Sequence, residues 1–249
     1  MNPSPYRPPF TSANGRARIV KILLIAGAVV SCLELFAEAL SLAFPPLTDN
    51  QEFVDNPIGA AILLLIFLLA LLDFFIYLTT VIFFLMWLHR AYDNLRAFDP
   101  SRRLNHSAGW AVGSFFVPFV NLAVPYRAVK EVWQKSGSPD ESFLSEVSPP
   151  PRFPAWWCFW LLAGFVGNIS LRGSFKESFP ESVATMISMV ASVLSIVAAV
   201  FAYLVVDAID KRQEETSGRL KLGKFSGPPP PPPNLSMSGV VTPTPVPTP

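Results

Sequence analysis

Long apolar stretches separated by short polar ones organise this chain. Five stand out: Ile19 to Phe44, Ile58 to Leu88, Gly109 to Val129, Pro154 to Leu171 and Ser182 to Val206. A helix needs about 20 consecutive apolar residues to cross a hydrocarbon layer of ~30 Å. The first stretch follows Arg16, Arg18 and Lys21 and stops at Pro45 and Pro46, which cannot continue a helix. The second would be roughly 46 Å long at 1.5 Å per residue, so it must tilt or project from the bilayer. Beyond it, Tyr92, Leu95 and Phe98 share one side while Arg90, Asp93 and Arg96 lie elsewhere. That spacing predicts an interfacial amphipathic helix over 89–98.

The third stretch is apolar enough to span, but Pro118, Asn121 and Pro125 predict a broken segment. The fourth opens on Trp156, Trp157 and Trp160, as at headgroup level. The fifth ends at Asp207, Asp210, Lys211 and Arg212, which mark an exit into water. The first stretch also has the basic start and apolar middle of a signal peptide, with Ala37-Glu38-Ala39 as a small-residue cleavage site, and Val29 to Cys32 resembles a weak lipobox. Because apolar residues continue to Phe44, it is expected to stay as a span.

Charge distinguishes four crossings from five. With four crossings and Gly109 to Val129 turning back, 17 of the 19 Lys and Arg lie on one side, and only Arg172 and Lys176 on the other. If all five stretches cross, the split is 10 against 9. The positive-inside rule therefore favours four transmembrane helices plus one re-entrant or interfacial broken helix, with both termini cytoplasmic at the cell membrane. Five transmembrane helices are the alternative. In the four-crossing arrangement all six Trp fall near the inner boundary, and the Asp49, Glu52 and Asp55 loop lies outside.

Composition agrees with an all-α integral membrane protein: of 249 residues, 51% are hydrophobic and only 15% charged. No basic block accompanies a nucleic-acid-binding motif, so nucleic acid is not an expected partner. Cys32 and Cys158 both lie in apolar stretches, which gives neither a disulfide framework nor a thiolate metal site. Residues 1–18 read as a disordered Pro-rich tail, 19–210 as the membrane domain and 211–249 as a second disordered tail, with six consecutive prolines from Pro228 to Pro233. Such a tail can dock a protein partner through an aromatic-lined groove, and the basic stretch from Arg219 to Lys224 can touch anionic lipid.

The segments WLHRAYDNLRAF, from Trp87, and GWAVGSFFVPFVNLAVPYRAVKEVW, ending at Trp133, carry a family resemblance. Trp87, Arg90, Ala91, Asn94 and Leu95, then Gly109, Trp110, Gly113, Pro118, Asn121, Pro125, Tyr126 and Trp133, resemble the pattern of the bacterial membrane proteins grouped as domain-of-unknown-function family 4328, over roughly residues 19–210. The resemblance implies a multi-pass membrane protein and supplies no activity, ligand or cofactor.

Gly27, Ser31, Glu34, Glu38 and Ser41 share one face of the first stretch, and Asp73 lies near the middle of the second. Ionisable groups at that depth are costly and face protein or water, so Glu34, Glu38 and Asp73, with Asn121 in the broken segment, form the candidate ion or proton site. The bland counterpart is carboxyls hydrogen-bonded to neighbouring helices. Thr185, Ser188, Ser192, Ser195, Ala199 and Ala202 form a small-residue stripe expected to pack against Ala163, Gly164 and Gly167. His89 and His106 are the only histidines, and no HExxH, phosphate loop or nucleophile elbow occurs. No enzyme, cofactor or metal is expected. The expected function is structural or regulatory, with partner recruitment at the cytoplasmic face, and the lipid bilayer and a second copy of the chain in a homo-oligomer are further expected partners. The alternative is a small cation- or proton-coupled transporter or channel.

Overall fold

The computed structural model describes residues 8–43, 57–137, 148–175 and 180–220. Among them every regular element is helical. Four long helices run as α1 (Asn14–Ala43), α2 (Pro57–Asp93), α6 (Arg152–Phe175) and α7 (Glu181–Arg219). Between α2 and α6 lie α3 (Leu95–Phe98), α4 (Ala108–Gly113), two 3-10 turns (Ser114–Phe116 and Val120–Leu122) and α5 (Val124–Lys135). α1 packs against α2 on one side and α7 on the other, and α7 packs against α6.

Among the described residues three helical stretches are long and apolar enough to cross a membrane: Asn14–Ala39, Phe67–Phe98 and Val183–Arg219. Among the described residues α6 is not one of these stretches. One half of the long helices exposes apolar side chains such as Ile22, Phe36, Phe67, Phe74, Phe165 and Val190. Such surface is stable against lipid, not water. Thr79 and Thr80 hide their hydroxyls there by donating to Phe75 O and Ile76 O one turn back, at 2.7 and 2.6 Å.

The other half is a protein core. The start of α1, the end of α2, the start of α6 and the end of α7 converge there with α3, α4 and α5 on Trp87, Leu88, Tyr92, Phe98, Val129, Phe153 and Ile209, each at most 1% exposed. Aromatic rings knit it: Phe84 lies 5.5 Å from Trp87 and 5.8 Å from Trp156, and Trp157 stacks on Trp160 at 4.9 Å. α2 and α7, of 37 and 39 residues, reach this core because each is nearly twice as long as the ~20 residues a hydrocarbon layer requires.

Several sequence expectations shift accordingly. Tyr92, Leu95 and Phe98 do share one side, but α2 runs on to Asp93 and that side is buried in protein, with Tyr92 only 1% exposed. Trp156 and Trp157 are buried in this core, at 4 and 5% exposed. The tail boundary at 18 falls too late, since Phe10 is buried with its ring 5.5 Å from that of Phe98, and α1 begins at Asn14. The boundary at 210 falls too early, since α7 continues to Arg219 with Gln213 and Thr216 buried. The acidic loop at Asp49, Glu52 and Asp55, and Pro228 to Pro233, lie outside the described residues.

Candidate functional site

The half with exposed apolar side chains gathers the acids named from the sequence. Glu34 of α1 lies within electrostatic range of both Glu38 and Asp73 of α2. Glu38 accepts hydrogen bonds from the Ser188 and Ser192 hydroxyls of α7. Part of the small-residue stripe on α7 therefore serves α1. A methyl group added at Gly164 or Gly167 would meet nothing within 4 Å, so these glycines do not form the close helix contact expected of them. Gly27 does sit at a contact, with Ile76 of α2 3.5 Å from where its Cβ would be.

Asn121 is not part of the acid cluster. Its turn packs against α5 and the preceding 3-10 turn, and its Oδ1 is buried without a hydrogen-bond partner. Around it the broken segment follows local rules. Ser107 caps α4 by accepting from Trp110 N at 3.1 Å. Pro125 occupies the first turn of α5, where a missing N–H costs nothing. Pro118 separates the two 3-10 turns, and the following Phe119 adopts φ +64°, which costs a non-glycine residue about 1–2 kcal/mol. Trp157 Nε1 holds the segment by donating to Leu122 O at 2.9 Å.

A second constellation, absent from the sequence expectations, lies at the packed end and centres on Glu131 of α5. Its Oε1 accepts from Asn105 N at 2.7 Å and from Lys135 Nζ at 2.5 Å. Its Oε2 accepts from the Tyr92 hydroxyl at 2.5 Å and lies 3.3 Å from His106 Nδ1. Burial pushes this carboxyl up, but the bonds from Lys135, Tyr92 and Asn105 and the Lys135 charge outweigh it, holding its pKa below the ordinary value. Tyr92 is raised by burial and by its bond to Glu131. Arg102 Nη1 reaches Lys135 O at 2.7 Å and Lys135 Nζ reaches Arg103 O at 2.6 Å, lacing the loop before α4 to the end of α5.

A third, fully buried network joins α2, α5 and α7. Gln213 Nε2 donates to Ala91 O at 2.7 Å and to Ser136 Oγ at 3.1 Å, and its Oε1 accepts from Asn94 Nδ2 at 3.2 Å. Asn94 also donates to Thr11 O at 3.0 Å, which ties in the segment ahead of α1. Beside it Lys21 bridges α1 to Asp207 of α7 at 3.0 Å, and Asn14 donates to Asp210 Oδ2 at 2.9 Å. Among the described residues no group of three or more His, Cys, Asp or Glu is arranged to hold a metal ion.

A scan of protein-family models matches residues 58–211 to Domain of unknown function (DUF4328), well over half of the chain. The chain belongs to this family. Comparisons with the curated proteins and with the solved structures found no match. In this DUF4328 member the matched stretch begins after α1, so the resemblance covers less than the 19–210 expected. Glu34 and Glu38 lie outside it and Asp73 inside. The Glu131 cluster lies wholly within it, as does all of the Gln213 network except Thr11 and Gln213 itself. Of the DUF4328 motif positions, Trp87, Ala91, Asn94, Leu95 and Pro125 are buried at the packed end. Asn94 was legible as a motif residue; Tyr92 and Glu131 were not, although Glu131 and Lys135 stand at the i, i+4 spacing of a helical ion pair.

Proposed function

We propose that the chain is a structural or regulatory multi-pass protein of the cell membrane whose working part is the packed end, held at the cytoplasmic face. The carrying observation is the convergence of the start of α1, the end of α2, the start of α6 and the end of α7 on one core. Helices that alternate in direction from one shared end support four crossings with both termini on that side. The excess of basic residues there supports a cytoplasmic assignment. The 2.7 Å bond between Asn105 N and Glu131 supports a broken segment that returns to the side it left. A Pro-rich sequence following α7 would then reach partners from the same face.

A second reading, a cation or proton path, is favoured by the grouping of Glu34, Glu38 and Asp73 with Ser188 and Ser192. It ranks second because Glu34 and Glu38 stand outside the family match. Proteoliposomes carrying a pH-sensitive dye separate the two. The wild-type chain is expected to give no more proton flux than empty vesicles. A flux that is present in the wild type and lost in the folded triple variant E34Q/E38Q/D73N would replace the first reading by the second.

A further inference from the structure

We propose that the cleft between the loop before α4 and the outer face of α5 binds the phosphate of an anionic phospholipid headgroup. The cleft, about 380 Å³, is lined by Asn105, His106, Arg127, Lys130, Glu131 and Gln134, within the ~300–1,000 Å³ typical of small-ligand sites. Arg127 and Lys130 stand three residues apart on α5, which places them on one face. Among the described residues Lys21, Arg102 and Lys135 each have a carboxylate partner, whereas Arg127 and Lys130 have none. The one carboxylate in the cleft, Glu131, is already occupied by Lys135, Tyr92 and the Asn105 amide. Among the described residues two uncompensated cations thus line a concavity with no free negative charge. A guanidinium beside an ammonium suits the tetrahedral oxygens of a phosphate.

Depth selects the lipid as the source. Phe116, Phe119 and Leu122, at 70, 87 and 57% exposed, lie immediately before α5. Leu122 precedes Arg127 by five residues, so apolar side chains suited to acyl chains end where the cations begin. Juxtamembrane basic groups in that position attract anionic headgroups. This inference rests on the reading that the segment dips into the bilayer.

The test is native mass spectrometry of the full chain in detergent, titrated with phosphatidylglycerol or phosphatidylcholine. The wild type is expected to prefer phosphatidylglycerol by roughly tenfold. R127Q/K130Q is expected to lose that preference, and the exposed-site control R103Q to keep it. Equal preference in wild type and R127Q/K130Q would overturn the proposal. Inorganic phosphate that binds the wild type equally well without lipid, and that phosphatidylglycerol fails to displace, would reassign the cleft to a soluble anion. Quenching of tryptophan fluorescence by brominated phosphatidylcholine keeps the two layers apart. A wild type that shows no headgroup preference while quenching is intact overturns the lipid site alone, and absence of quenching overturns the dip.

Discussion

The backbone amide of Asn105 and the carboxylate of Glu131, 26 residues apart in sequence, are 2.7 Å apart in space. Between them lies the whole broken segment, with Pro118, Phe119 and Pro125. A segment whose ends are hydrogen-bonded to each other has no ~30 Å of hydrocarbon between those ends. In a background lacking Cys32 and Cys158, cysteines placed at the exposed Ser101 and Ser148 are therefore expected to react with an impermeant reagent from the same side. Reaction from opposite sides would mean that five stretches cross and that the charge argument fails.

Glu131 is 3% exposed and has four partners, so removing it leaves buried donors unmet. E131A is expected to destabilise the solubilised protein by about 3–5 kcal/mol, since it breaks a buried pair. Y92F, which deletes one hydrogen-bonding hydroxyl, should cost about 1–2 kcal/mol. Denaturant unfolding followed by tryptophan fluorescence reads both, because Trp87, Trp156 and Trp157 lie in the same core. Equal effects of the two substitutions would show that the Glu131 contacts beyond Tyr92 contribute nothing.

The pH response follows from the same carboxyl. The Glu131 pKa is held down in the folded protein, so the stability it adds is fully present above the ordinary carboxylate value of about 4.3. That contribution is lost as pH falls through the lower folded value. Asp207, whose pKa burial raises but the bonds and charges of Lys211 and Lys21 lower further, acts in the same direction. Asp210, raised chiefly by burial, acts oppositely. Unfolding is expected to sharpen below about pH 4, and E131Q should flatten that profile. An unchanged acid limb in E131Q would assign acid lability to other groups.

Gln213 touches Ala91, Ser136 and Asn94 at once. Q213A is expected to cost about 2–3 kcal/mol through the unpaired polar groups it strands, and to loosen the end of α7 in hydrogen exchange. By contrast G164A, at an exposed position with open space beside it, is expected to be neutral or to stabilise α6 by up to about 1 kcal/mol. A strong loss in G164A would restore the glycine contact that the helix packing lacks.

The sequence made the apolar architecture legible because crossing a hydrocarbon layer demands length and continuity, and α1, α2 and α7 contain stretches that meet that demand. The break at Pro118 and Pro125 was equally legible, since proline acts locally. The Pro- and Ser-rich start concealed Phe10, whose burial depends on Phe98, far along the chain. Tyr92 and Glu131, separated by 39 residues, and Asn94 and Gln213, separated by 119, meet only through tertiary packing, and no spacing within one helix encodes either pair. Glu34 lies within electrostatic range of Asp73 and Glu38, while Asn121 stands apart from them, because depth alone does not say on which side of the bundle a residue stands.

Phe10, ahead of the first helix, and Gln213, in the last, complete one core. During synthesis the earlier helices emerge while Trp87, Leu95 and Val132 still await their cover. The packed end closes only after α7 has left the ribosome, so a chain cut short before residue 205 would leave an open aromatic surface for proteases to recognise.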